Sequence, residues 1–141
     1  MRAYMEVSRL PYPDRLAKAK ALPERKAGLS VGTSFTGILF LPWKGSFFEE
    51  AEVVARLRAG RAALAVERHR QAKGSLPEKL DDLVPTFLPS ILRDPFDGAP
   101  LRYKRLPGGF SVYSIGTDGA DNGGDPTNDL AFTVENPAPE R

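Results

Sequence analysis

An α+β domain is predicted, one long helix packed on a small antiparallel sheet of about three strands, with a helical extension on its N-terminal side. Three observations predict it. Apolar residues recur at three- and four-residue steps between 47 and 73, the pattern switches to alternation after residue 100, and a run of turn dipeptides separates the two regimes.

Prolines cut the first 45 residues into short helical pieces: Ala3 to Leu10, Arg15 to Leu22 opened by Pro13-Asp14, and Glu24 to Leu29 opened by Pro23. At Ser46-Phe47-Phe48-Glu49 the spacing is that of a capping box, so a spine helix is expected over Phe47 to Lys73, about 40 Å long at 1.5 Å per residue. Its expected apolar stripe is Val53, Val54, Leu57, Gly60, Leu64 and Ala65, and Gly74 offers the left-handed stop. Ser75-Leu76-Pro77-Glu78 repeats the capping spacing, which predicts a second helix from Leu76 to about Val84, halted by Pro85, with Leu80, Leu83 and Val84 facing inward.

Asp94-Pro95 and Asp97-Gly98 are turn dipeptides leading into a hairpin: Leu101 to Lys104, a Pro107-Gly108-Gly109 turn, then Phe110 to Ile115. Leu130 to Val134 alternates again and is the expected third strand. The resulting division is a helical extension over 1–45, a domain over 46–136 and a disordered tail over 137–141, where Pro137 and Pro139 end the order. No internal repeat is present.

Composition bounds the chemistry. With 141 residues, 41% apolar and 27% charged, the chain has the make-up of one ordinary globule. It has no cysteine, which excludes thiol nucleophiles, disulfides and thiolate-bound metal. The longest uncharged run, Ala27 to Trp43, is broken by Gly28, Gly32, Gly37 and Pro42, so no membrane helix is expected, nor a secretory leader. The net charge of +2 hides an asymmetry: Leu106 to Glu140 holds six acids and no base, leaving 20 bases against 18 − 6 = 12 acids elsewhere.

Asp118 to Asp129 places four carboxylates, Asp118, Asp121, Asp125 and Asp129, in twelve residues without a base. Crowded carboxylates repel, and Ca²⁺, which takes six to eight oxygen ligands, would turn that repulsion into attraction. Asp118, Asn122, Gly123 and Asp129 match parts of an EF-hand loop, but Ala120 fails its third position and strands flank the loop, so a true EF-hand is rejected. The bland reading is a solvated connection built of ordinary turn residues.

His69-Arg70-Gln71-Ala72-Lys73-Gly74-Ser75-Leu76-Pro77, Asp94-Pro95-Phe96-Asp97-Gly98 with Pro100-Leu101-Arg102-Tyr103, and Tyr113-Ser114-Ile115-Gly116-Thr117-Asp118-Gly119 stand in one order. Over roughly residues 47 to 135 that order resembles the periplasmic domain of the major pseudopilins of type II secretion systems. The resemblance implies a pseudopilin-like fold, a non-catalytic assembly role outside the cytoplasm, and a calcium loop. Its ligands would include Asp118 early, Asn128 and Asp129 late, and the Ile115 carbonyl, with Asp121 and Asp125 as the further carboxylates. Two features depart from the family pattern. In place of its apolar stem the chain has 45 residues of broken, partly basic helix, which implies a detached domain or the soluble end of a larger protein anchored upstream. Asn128 stands where the family has an acid.

Other motifs carry little. Arg56, Arg58, Arg61, Arg68, Arg70 and Lys73 spread around the helix instead of forming one row, so a solvated face is favoured over a stripe for nucleic acid or an anionic surface, which is the alternative function. His69 is the one histidine and sits among cations; no nucleophile elbow and no phosphate loop occurs. Trp43, Phe47 and Phe48 form an aromatic knot that reads either as a core staple or as a docking patch for a protein partner. The sequence therefore predicts a calcium-stabilised interaction or self-assembly module and no enzyme.

Overall fold

A computed structural model describes residues 2–22 and 43–135. In chain order the elements are α1 (Arg2–Ser8), α2 (Asp14–Ala21), α3 (Trp43–Lys73), one 3₁₀ turn (Leu80–Leu83), β1 (Arg102–Leu106), β2 (Gly109–Ser114) and β3 (Leu130–Glu135). The expected third N-terminal helix and the C-terminal tail lie outside the described residues. The strands form one antiparallel sheet in the order β1-β2-β3, and α3 packs across β2 and β3. This is the α+β architecture that the change of period predicts.

The spine differs from expectation at its start and on its faces. It begins at Trp43, so Ser46 lies inside the helix and not at its cap. Gly45 costs such a helix about 1 kcal/mol, which burial of Phe47 a half-turn later can offset. The expected stripe is turned around: Val53, Leu57 and Leu64 are exposed, Val54 and Gly60 are half-buried, and of the six only Ala65 is in the core. The buried face is instead Ala51, Ala55, Ala59, Ala62, Ala63, Ala65 and Val66. Small side chains bring the helix axis close to the sheet, so the large side chains Phe110 and Val112 of β2 supply the volume between them.

Leu80, Leu83, Leu88 and Leu101 close this core from one side, and Leu76, Val84 and Phe87 pack at its edge. The second helix is shorter than expected because Asp82, not Ser75, caps it. The Asp82 carboxylate accepts from the Glu78 and Lys79 amides at 3.0 and 3.1 Å, which closes the chain into the single 3₁₀ turn. Gly74, with φ at +75°, ends the spine as the sequence predicts, its amide donating to the Arg70 carbonyl at 2.8 Å.

A second cluster joins α1 and α2 to the first turns of α3. Val7, Leu16 and Ala19 bury against Phe47 and Ala51, with Tyr12, Leu22, Phe48 and Phe96 at the rim. Arg15 pairs with Glu50 across this seam and stacks 4.7 Å above the Tyr12 ring. Phe47, 6% exposed, and the half-buried Phe48 are thus the staple between extension and domain. Phe47 is too buried to belong to a docking patch, whereas Phe48 keeps part of its surface at the rim of the cluster. Trp43 opens the helix.

Candidate functional site

Two faces of the sheet set up two different sites. Cross-strand partners share a face, so Phe110 with Val134 and Val112 with Phe132 look toward α3, while Tyr113 with Arg102 and Ala131 look away from it. The loop from Gly116 to Asp129 folds back over that outer face. Gly124, at φ +82°, lies so close to the Tyr113 ring that an added Cβ would be 3.0 Å from it.

Each loop carboxylate has its own partners. Asp118 is exposed and accepts from the Ala120 amide and the Asn122 side-chain amide, both at 3.0 Å. Asp121 accepts from the Tyr113 hydroxyl at 3.2 Å and the Gly123 amide at 2.9 Å, and lies 3.7 Å from the Arg102 guanidinium. Asp125 accepts from the Thr127 amide at 2.9 Å, and hydrogen bonds from Thr127 hold its carboxyl below the ordinary value. Asp129 is buried, 2% exposed, and accepts from the Gly124 amide at 2.7 Å and the Asn122 amide at 3.4 Å. Asn128 is exposed, and Ile115 is buried with its amide donating to Asp94. Among the described residues no three carboxylate or imidazole groups come together as a metal site. Loop closure here comes from carboxylates accepting bonds from nearby amides, which leaves further lone pairs on the same side chains.

The strongest polar constellation on this face is one the sequence reading passed over. Asp94, whose side chain is fully buried, accepts from the Phe96 amide at 2.9 Å, the Ser114 hydroxyl at 2.9 Å, the Ile115 amide at 3.0 Å and the Arg102 guanidinium at 2.9 Å. Arg102 also pairs with Asp97. Partial burial of Asp97 works against its charge, yet the bonds from Arg102 and the Ala99 amide outweigh it, so its carboxyl sits below the ordinary value. The same partnership raises the guanidinium. Burial, then the charge of Asp121, pushes the Tyr113 phenol up. Asp94 and Asp97 were legible as turn residues only; the usable signal was Arg102, a cation at a strand start that packing must neutralise.

The chain matches no protein-family model, no curated protein and no solved structure.

The second site is apolar. Among the described residues the exposed large hydrophobic side chains are Met5, Val53, Leu57, Leu64 and Phe132. The last four share one patch. Val53, Leu57 and Leu64 follow one another at four and seven residues along α3, and Gly60 lies between them, where an added Cβ would sit 3.8 Å from the Phe132 ring of β3. Leu57 and Leu64 are each 68% exposed. A third feature is a cleft of about 340 Å³ beside the hairpin turn, lined by Glu67, Arg70, Arg105, Leu106 and Phe110. It is dominated by the Glu67–Arg70 ion pair, which spans one helical turn at 2.7 Å.

No helix among the described residues is long and apolar enough to cross a membrane.

Proposed function

We propose that this domain is a non-catalytic, pseudopilin-like assembly or protein-interaction module that docks through α3. The observation that carries the reading is the patch of Val53, Leu57, Leu64 and Phe132. Its three helical members lie opposite a face filled by alanines, so Val53, Leu57 and Leu64 add nothing to the core described above, and Phe132 of β3 borders them. Large apolar side chains left on one solvated stripe are what a docking helix presents to a partner. The order of elements and the sequence resemblance support the pseudopilin-like part, and the resemblance alone supports a setting outside the cytoplasm.

The calcium part of the reading is supported by the four carboxylates gathered in the loop and by the sequence resemblance, not by the docking patch. The basic-helix alternative gains nothing from the arrangement: Arg58 donates to the Arg93 carbonyl and Arg70 is paired with Glu67, on different sides of the helix.

The test is the stability of a Leu57→Ser/Leu64→Ser variant. On a docking surface the pair changes unfolding free energy by less than about 0.5 kcal/mol, whereas side chains covered within the chain cost about 2 kcal/mol or more each. A loss of the second size would end the proposal.

A further inference from the structure

Resting on that reading, we infer that the partner of the patch is a second copy of the chain, its α3 running antiparallel and crossing near Gly60. The charge order of the helix makes this choice. Past Lys44, Glu49, Glu50 and Glu52 form an acidic run near the start of the helix, whereas Arg56, Arg58, Arg61, Arg68, Arg70 and Lys73 follow with Glu67 as the one acid. A parallel pair would set acid against acid and arginine against arginine along the whole seam. An antiparallel twofold reverses one copy, so the acidic first turns meet the basic last turns.

Helical geometry makes the registration specific. With about 100° per residue, Leu57 and Leu64 point directly away from the alanine face, Val53 stands beside them, and Glu50 and Arg68 flank the stripe on the same side. A twofold axis between residues 60 and 61 seats Leu57 on the partner's Leu64 and Leu64 on the partner's Leu57. Glu50, which also pairs with Arg15 of its own chain, then comes within one turn of the partner's Arg68, and Arg56, on the other flank, within one turn of the partner's Glu67, which also pairs with Arg70 of its own chain. Gly60, having no side chain, lets the axes approach at the crossing, and Phe132 borders the crossing on the sheet side. The two Arg61 side chains meet near the axis and swing outward over their aliphatic stems.

The size of the patch sets the strength. Four side chains about half exposed or more present roughly 400 Å² of apolar surface, within the range of the largest patch on ordinary monomers. Two copies bury about twice that before the charged rim is added, which places the pair among weak, reversible associations.

Sedimentation equilibrium of the full chain from about 5 μM to 0.5 mM should show a monomer–dimer equilibrium with Kd on the order of 10 to 100 μM. Leu57→Arg, made at an exposed position that leaves the fold intact by circular dichroism, should weaken it at least tenfold. Arg68→Glu should weaken it too. Because the chain has no cysteine, oxidation of a mixture of Leu57→Cys and Leu64→Cys chains reports the orientation. A disulfide between the two kinds of chain is the expected product. A monomer at every concentration, or a preference for 57-to-57 crosslinks, overturns the dimer. If the serine variant above keeps its stability in that case, the docking surface stands and only the choice of partner falls.

Discussion

Arg102 on the first strand donates to the fully buried carboxylate of Asp94 at 2.9 Å, and the same carboxylate takes the Ile115 amide where the second strand ends. One side chain therefore ties the turn before the sheet to the start of β1 and the end of β2. The other carboxylate oxygen holds the Ser114 hydroxyl and the Phe96 amide. A buried charge with this many partners is expensive to break and inexpensive to keep.

Asp94→Ala should cost about 3 to 5 kcal/mol, because it leaves a guanidinium, a hydroxyl and two amides short of an acceptor. Asp94→Asn keeps the shape and some of the bonds and should cost less. Urea denaturation of the three proteins checks the order; equal midpoints would remove Asp94 from its place at the centre of the sheet's outer face.

Gly109→Ala tests the closeness of β2 and β3 at the hairpin end. An ideal Cβ there would lie 1.9 Å from the Val134 carbonyl oxygen, with backbone atoms around it that cannot swing aside. The strands must separate at this point, at about 2 kcal/mol or more. Hydrogen exchange should show lost protection at the Gly109 and Glu135 pairing, and a neutral substitution would contradict the register.

The fold was legible where side-chain period and backbone demand agree. Gly74 stops the spine and the alternation around Phe110 and Leu130 marks the strands, because each is a local requirement of the backbone. The spine's orientation was not legible in the same way. Val53, Leu57 and Leu64 form the more conspicuous stripe, but alanine is also apolar, and Ala59, Ala62, Ala63 and Ala65 win the core since only they let the helix sit near Phe110. Asp82 and Asp94 were hidden for a related reason. Their bonds reach amides and a guanidinium that only folding brings near, so the sequence shows them as ordinary acids.

Acid should weaken the fold partly through Asp97. Its folded carboxyl lies below the ordinary 3.8, so the stability it contributes is fully present above that pH and is lost as pH falls through the folded value. The slope of stability against pH below about 4 should therefore be shallower in Asp97→Asn. Superimposable acid profiles would show that the Arg102 pairing does not act on stability.

The loop between β2 and β3 should depend on Asp129 and hardly on Asp118. Removing the buried carboxylate leaves the Asn122 and Gly124 amides unpaired, at about 1 to 3 kcal/mol, while the exposed Asp118→Ala should stay within about 0.5. With the loop chelating, the melting temperature should be higher in millimolar Ca²⁺ than in chelator, and the difference should disappear in Asp129→Ala. Coincident melts in Ca²⁺ and in chelator would remove calcium from the loop.

Which face of the spine meets water decides the docking account, and thiol labelling reads it directly because the chain has no cysteine of its own. Under native conditions and at micromolar dilution, Leu57→Cys should react with a thiol reagent nearly as fast as the unfolded chain, and Ala62→Cys should be protected by orders of magnitude. Fast labelling at Ala62→Cys with protection at Leu57→Cys would put the leucines in the core and contradict the account.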